Sequence, residues 1–167
     1  MSTAPYLQLI SEVLPIQRRD FYMSDPTLLN PQNANPVLDG EWLSLDSSYK
    51  LIRAAGATLG GVAGVVSMPS WQLFAERGRY DTQAIGKAPL LFIGGYEAET
   101  SICDVTSLNI GDGLVVADVT VGGLTKKGLK KYGTTATYPI RGWVTRLPGS
   151  GKVRYWVPGD IAFMPVA

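Results

Sequence analysis

Nineteen glycines and eleven prolines are spread through this 167-residue chain, and they fall between short apolar runs instead of collecting in one low-complexity tract. No stretch keeps a helical apolar period for three turns between breakers, whereas runs of four to eight apolar or alternating residues recur at turn-bounded intervals. The pattern predicts a mostly β protein, a small barrel or sandwich.

The run from Gly86 to Val105 is the predicted centre. Leu90 to Ile93 is continuously apolar, as in a strand buried on both faces, and Gly94-Gly95 allows a bend before Tyr96 restarts an extended pattern. Upstream, Asp39-Gly40 opens the body. Leu43, Leu45, Tyr49 and Leu51 then recur at even spacing, giving a half-buried strand or a hairpin around Asp46-Ser47-Ser48. Gly56, Gly60, Gly61 and Gly64 among small residues read as strand, tight turn and strand over 54–66. Downstream, Val115, Ala117, Val119 and Val121 share one face of a strand over 114–121. Thr125 to Gly133 reads as a lysine-bearing loop, and 139–146 with 153–157 as a hairpin around Pro148 to Lys152.

Residues 1–38 read differently from the body at 39–167. Pro5, Pro15, Pro26, Pro31 and Pro36 recur too closely for regular elements, which predicts an extended amino-terminal arm. Its Tyr6, Leu9, Ile10, Phe21 and Tyr22 are too apolar for a free linker, so a partner surface is expected to cover them.

Composition narrows the chemistry. A formal charge of +1 gives no general pull toward nucleic acid or an anionic membrane, so neither is an expected partner. The chain has no histidine and one cysteine, which removes the usual general base and any intrachain disulfide. No apolar run has membrane-spanning length, and the first residues lack the basic and apolar segments of a secretory signal. The glycines at 56–64 lack the lysine of a phosphate loop, since Val62 follows Gly61.

Glu97 and Glu99 share a strand face that Asp104 or Asp112 could approach, but the same spacing marks an ordinary solvated face. Cys103 reads as packed, and Lys126, Lys127, Lys130 and Lys131 as a solvated loop. No catalytic residue, cofactor site or metal site is therefore expected, and the chain is not expected to be an enzyme.

Three strings carry a family resemblance: Pro69-x-Trp71, then Glu76-Arg77-Gly78-Arg79-x-Asp81-x-Gln83-Ala84-x-Gly86-Lys87, then Gly95-Tyr96-Glu97-Ala98-Glu99-Thr100. Together with Gly111-Asp112-Leu114, Gly142-Trp143-Val144-Thr145 and Arg154-Tyr155-Trp156, over residues 37–160, the chain resembles the head decoration (cement) proteins of tailed bacteriophages. The resemblance implies a β-tulip or β-barrel body, made in the host cytoplasm, that binds the outer capsid surface as an oligomer and stabilises contacts between major capsid protein subunits. Its implied partners are the major capsid protein and further copies of itself, in a dimer or trimer. Trp71 and Arg79 join Tyr6, Leu9, Ile10, Phe21 and Tyr22 as expected partner-binding residues. The alternatives are a tail or baseplate component and, from another class, a carbohydrate-binding or hydrolytic β-protein using Trp71, Tyr96, Glu97 and Glu99.

Overall fold

The computed structural model describes residues 7–12, 18–30, 32–53, 62–66, 86–91, 95–133 and 140–158. They form eleven strands: β1 (Leu7–Glu12), β2 (Arg18–Tyr22), β3 (Trp42–Leu45), β4 (Leu51–Ile52), β5 (Val62–Val66), β6 (Lys87–Leu91), β7 (Tyr96–Thr100), β8 (Gly113–Val121), β9 (Leu124–Lys131), β10 (Gly142–Gly149) and β11 (Lys152–Val157). A 3-10 turn, Pro26–Leu29, follows β2 and is capped by Asp25, whose Oδ1 accepts from the Thr27 amide at 3.0 Å. The protein is mostly β, in two curled sheets.

The two sheets are threaded alike. The first has the order β2-β6-β5-β3-β4, and the second β1-β7-β11-β10-β8-β9. Counting β2 to β6 as first to fifth gives first-fifth-fourth-second-third, and counting β7 to β11 in the same way gives the same order, with β1 added outside β7. The named pairings are antiparallel in both. In each, the chain beyond the first strand of the five reaches across to the third in a parallel bridge, Met23 to Leu51 and Cys103 to Leu129, so each set of five strands curls into a half-barrel.

Burial follows from this curl. Met23, Leu29, Val37, Leu43, Leu51, Val66, Ala88 and Leu90 fill the inside of the first sheet. Its other face sends Trp42, Val65 and Leu91 into the core of the second, with Tyr96, Leu114, Leu129, Val144 and Tyr155. The continuous apolar run beginning at Leu90 is thus buried on both faces at Leu90 and Leu91, while residues 92 and 93 lie outside the described set.

Two expectations need correction. Residues 7–12 and 18–22, expected in an extended arm, are strands: β1 pairs with β7 from Leu7 opposite Thr100 to Glu12 opposite Tyr96, and β2 pairs with β6. Pro26 opens the 3-10 turn and Pro36 follows it in a connector, so the prolines there punctuate strands instead of preventing them. The expected lysine loop at 125–133 is mostly strand β9, paired with β8 over eight residues. Its turn lies earlier, at Gly122 and Gly123 (φ 58° and 81°), the left-handed pair that a two-residue hairpin requires. Its four lysines interrupt the apolar alternation and find their partners in side chains such as Asn35, Asp104 and Asp112, which is why β9 reads as a loop in sequence.

The hairpin around Asp46-Ser47-Ser48 forms. Asp46 Oδ1 accepts from the amides of Ser48 at 2.8 Å and Lys50 at 2.9 Å, and β3 and β4 pair on either side. The strand at 114–121 and the hairpin of β10 and β11 also form as expected. Of the segment 54–66, residues 62–66 are strand β5 and the rest lies outside the described residues.

Candidate functional site

Glu97 and Glu99, singled out in the sequence, are carried by β7, the second strand of the second sheet, between the edge strand β1 and β11. Alternation turns Tyr96, Ala98 and Thr100 inward and puts Glu97 and Glu99 on the other face, where Glu97 is half-buried and Glu99 is covered, 7% exposed. Glu99 Oε2 accepts from Arg154 Nη2 at 3.0 Å and Nε at 3.3 Å, and Lys152 Nζ lies 3.9 Å from Oε1. Glu97 Oε1 accepts from Thr145 Oγ1 at 2.5 Å. Asp104 and Asp112 do not approach either glutamate: they pair with Lys130 at 3.5 Å and Lys131 at 2.8 Å. Hydrogen bonds from Thr106 hold the Asp104 carboxyl below its usual range, and the Lys131 ammonium does the same for Asp112. Among the described residues, no three metal-ligating side chains come together.

The same outer face carries an aromatic row. Trp143 on β10 lies opposite Trp156 on β11, which lies opposite Glu97 on β7. On the other side Trp143 lies opposite Gly113 on β8, and the Tyr132 amide donates to the Gly113 carbonyl at 2.9 Å. Gly113 has no side chain to contribute, and Ile140 fills its place: a Cβ there would stand 3.0 Å from Ile140 Cδ1. The row therefore reads Tyr132, Ile140, Trp143, Trp156, Glu97 across five strands. Tyr132 is 45% exposed and Trp143 37%. Sequence reading noted Trp143 and Trp156 only as apolar residues near the end; the register that aligns them with Tyr132 and Glu97 is set by pairings between distant strands.

Cys103 is packed against the second core, its Sγ 3.5 Å from the carbonyl oxygens of Thr100 and Gly151, and burial pushes its thiol up to about 12. It borders an open cleft of about 380 Å³ with Asp104, Asp118, Thr120 and Lys130. The charges of this cleft are already paired, Asp104 with Lys130 and Asp118 with Lys127.

A second polar cluster joins the two sheets, and sequence reading missed it. Glu41, fully buried, accepts from Arg53 Nε at 2.7 Å, Arg53 Nη2 at 3.2 Å and the Leu38 amide at 3.1 Å. Arg53 also donates to the carbonyls of Asn35 at 2.7 Å and Pro36 at 2.6 Å. From β9, buried Lys126 donates to Asn35 Oδ1 at 2.5 Å and to the Pro36 carbonyl, and the Lys127 amide reaches Glu41 at 3.4 Å. Desolvation lowers Lys126 to about 8, against the pull of Glu41. The cluster works as a joint.

The expected partner-binding residues scatter. Leu9 packs on the second core and Phe21 on the first, Ile10 is half-buried in β1, and Tyr22 is 56% exposed beneath Lys87, whose Nζ stands 4.4 Å above its ring. Tyr6, Trp71 and Arg79 lie outside the described residues. Tyr96, needed as an aromatic platform by the sugar-binding alternative, is 1% exposed and belongs to the core. No helix among the described residues is long and apolar enough to cross a membrane. No protein-family model, curated protein or solved structure matches the chain.

Proposed function

We propose that this protein is a virion structural protein, a decoration protein that binds the outer surface of a tailed-phage head and stabilises contacts between major capsid protein subunits. One observation carries the reading beyond the sequence resemblance. The Gly95 to Thr100 string lies far along the chain from the hairpin that carries Gly142 to Thr145 and Arg154 to Trp156, yet as β7 it pairs with β11 of that hairpin in one sheet. Together they present an outward aromatic and charged face, the kind of surface a protein partner covers. The carboxylates of that face hold structural cations or a threonine hydroxyl, an arrangement suited to recognition more than to proton transfer.

The test is mass spectrometry and cryo-electron microscopy of particles purified from the source. The reading expects the chain at hundreds of copies per particle, with density on the outer head shell. A few copies confined to the tail or baseplate would select the tail alternative, and absence from the particle would overturn both.

A further inference from the structure

Of the four lysines on β9, one is unlike the others. Lys127, Lys130 and Lys131 each pair with a carboxylate, of Asp118, Asp104 and Asp112. Lys126 is buried and, among the described residues, has no carboxylate at ion-pair distance. Its Nζ meets Asn35 Oδ1 at 2.5 Å and the Pro36 carbonyl oxygen, and Arg53 brings a second cation to the backbone carbonyls of the same two residues. Desolvation, helped by Arg53 against the pull of Glu41, favours the neutral amine, which is a nucleophile. The Asn35 side-chain carbon is bonded to the oxygen that Nζ touches, which sets it at roughly the 3–3.5 Å of a near-attack contact. We propose that Lys126 and Asn35 join in an isopeptide bond, a self-catalysed cross-link between the connector ahead of β3 and strand β9.

In this step Nζ of the neutral lysine adds to Cγ of Asn35, the bond from Cγ to Nδ2 breaks, and ammonia leaves. The attacking nitrogen gives up one proton and the departing nitrogen takes one, so no oxidant, reductant or cofactor is consumed. Glu41 is the carboxylate of the cluster and carries that proton, held in place by Arg53 on both of its oxygens. Asn35 Nδ2 donates to the Thr125 carbonyl at 3.4 Å, so the amide is held against β9 through its nitrogen as well as its oxygen. Burial keeps water from competing for the carbon. Residue 36 is proline and has no backbone N–H, which removes the following main-chain nitrogen as a rival for Cγ. The product ties the first sheet to the second where the polar joint already holds them. Such a tie suits a particle coat but does not depend on one.

The freshly folded chain carries the free amine, and the bond accumulates on standing. Intact-mass spectrometry of the full chain should show conversion to a species lighter by one ammonia. The rate should rise about tenfold per pH unit below about pH 8 and level off above it, as the amine loses its proton. Peptide mapping should place residues 35 and 126 in one branched peptide, and the looped chain should run faster on a denaturing gel. Lys126→Arg and Asn35→Ala, each shown to be folded by circular dichroism, should keep their full mass, and Glu41→Gln should slow conversion at least about tenfold. A wild-type chain that keeps its full mass after prolonged incubation at about pH 9 would overturn the proposal, as would the same loss of ammonia from folded Lys126→Arg. Either failure leaves the particle experiment undecided, because the cross-link is read on the free protein.

Discussion

The two sheets thread five strands in the same order and curl through the same kind of parallel bridge, but they bury their faces differently. In the first, neighbouring residues on β3, β5 and β6 enter opposite cores: Leu43, Val66 and Leu90 inside, Trp42, Val65 and Leu91 against the second sheet. In the second, β10 and β11 alternate Val144, Val153 and Tyr155 inward with exposed or half-exposed Trp143, Arg154 and Trp156 outward. One topology thus supplies both a layer buried on two sides and a layer whose outer face stays partly exposed. Topology sets the path, and the polarity of alternate residues decides which face is available.

The comparison breaks most severely if the amino-terminal segment is removed. Deleting residues 2–36 takes away β1 and β2, with them the Met23 bridge that curls the first sheet, and Leu29 of its core. The truncated chain should lose its cooperative melting transition. A truncated protein that melts like the full chain would show that the two strands contribute nothing to either sheet.

Closure of the second sheet alone is tested at Gly128, where a Cβ would stand 2.4 Å from the Ile102 carbonyl oxygen. That carbonyl accepts from the Leu129 amide at 3.0 Å, so backbone must move to admit a methyl. Gly128→Ala should cost about 3 kcal/mol in urea denaturation, and a loss below about 0.5 kcal/mol would show that the crossing is loose. The joint between the sheets is tested by Glu41→Ala, which leaves Arg53 beside Lys126 without the carboxylate between them. Removing one partner of a buried ion pair should cost about 3–5 kcal/mol.

Lys126 sharpens the comparison through pH. Its folded value of about 8 lies below the 10.5 of the free side chain, so between those values the unfolded chain binds more protons and stability rises with pH. Cys103 acts in the opposite direction: its folded value of about 12 exceeds the ordinary 9.0, so stability falls as pH rises above 9. Wild type should therefore gain about 1 kcal/mol from Lys126 between pH 8 and pH 9, and Lys126→Met should lack that gain. Parallel profiles would contradict the assignment. The smallest effect is expected at the outer face, where Trp143→Tyr keeps an aromatic ring opposite Trp156 and should change stability by less than about 0.5 kcal/mol, because Trp143 lies outside both cores.

Much of the β character was legible because period-two alternation and turn residues are local: Leu114 to Val121 and the hairpin closed at Pro148 to Lys152 declare themselves within ten residues. The duplicated strand order was not legible. β2 reads Arg-Arg-Asp-Phe-Tyr where β7 reads Tyr-Glu-Ala-Glu-Thr, so the correspondence lies in pairing partners and not in side chains. The amino-terminal strands were hidden by the prolines at 5, 15 and 26 that flank them, and β9 by its lysines, whose partners Asn35, Asp104 and Asp112 are distant in sequence. The outer-face row shared that difficulty, since Tyr132, Trp143, Trp156 and Glu97 align only once five strands are in register.

The amino-terminal segment is built into both sheets, as β1 beside β7 and β2 beside β6. Hydrogen–deuterium exchange on the free full-length protein tests it most directly. The amides of Leu7–Glu12 and Arg18–Tyr22 that pair with β7 and β6 should exchange as slowly as those of Tyr96–Thr100 and Lys87–Leu91. Exchange of both amino-terminal segments at unfolded-chain rates, while β7 and β6 stay protected, would contradict it.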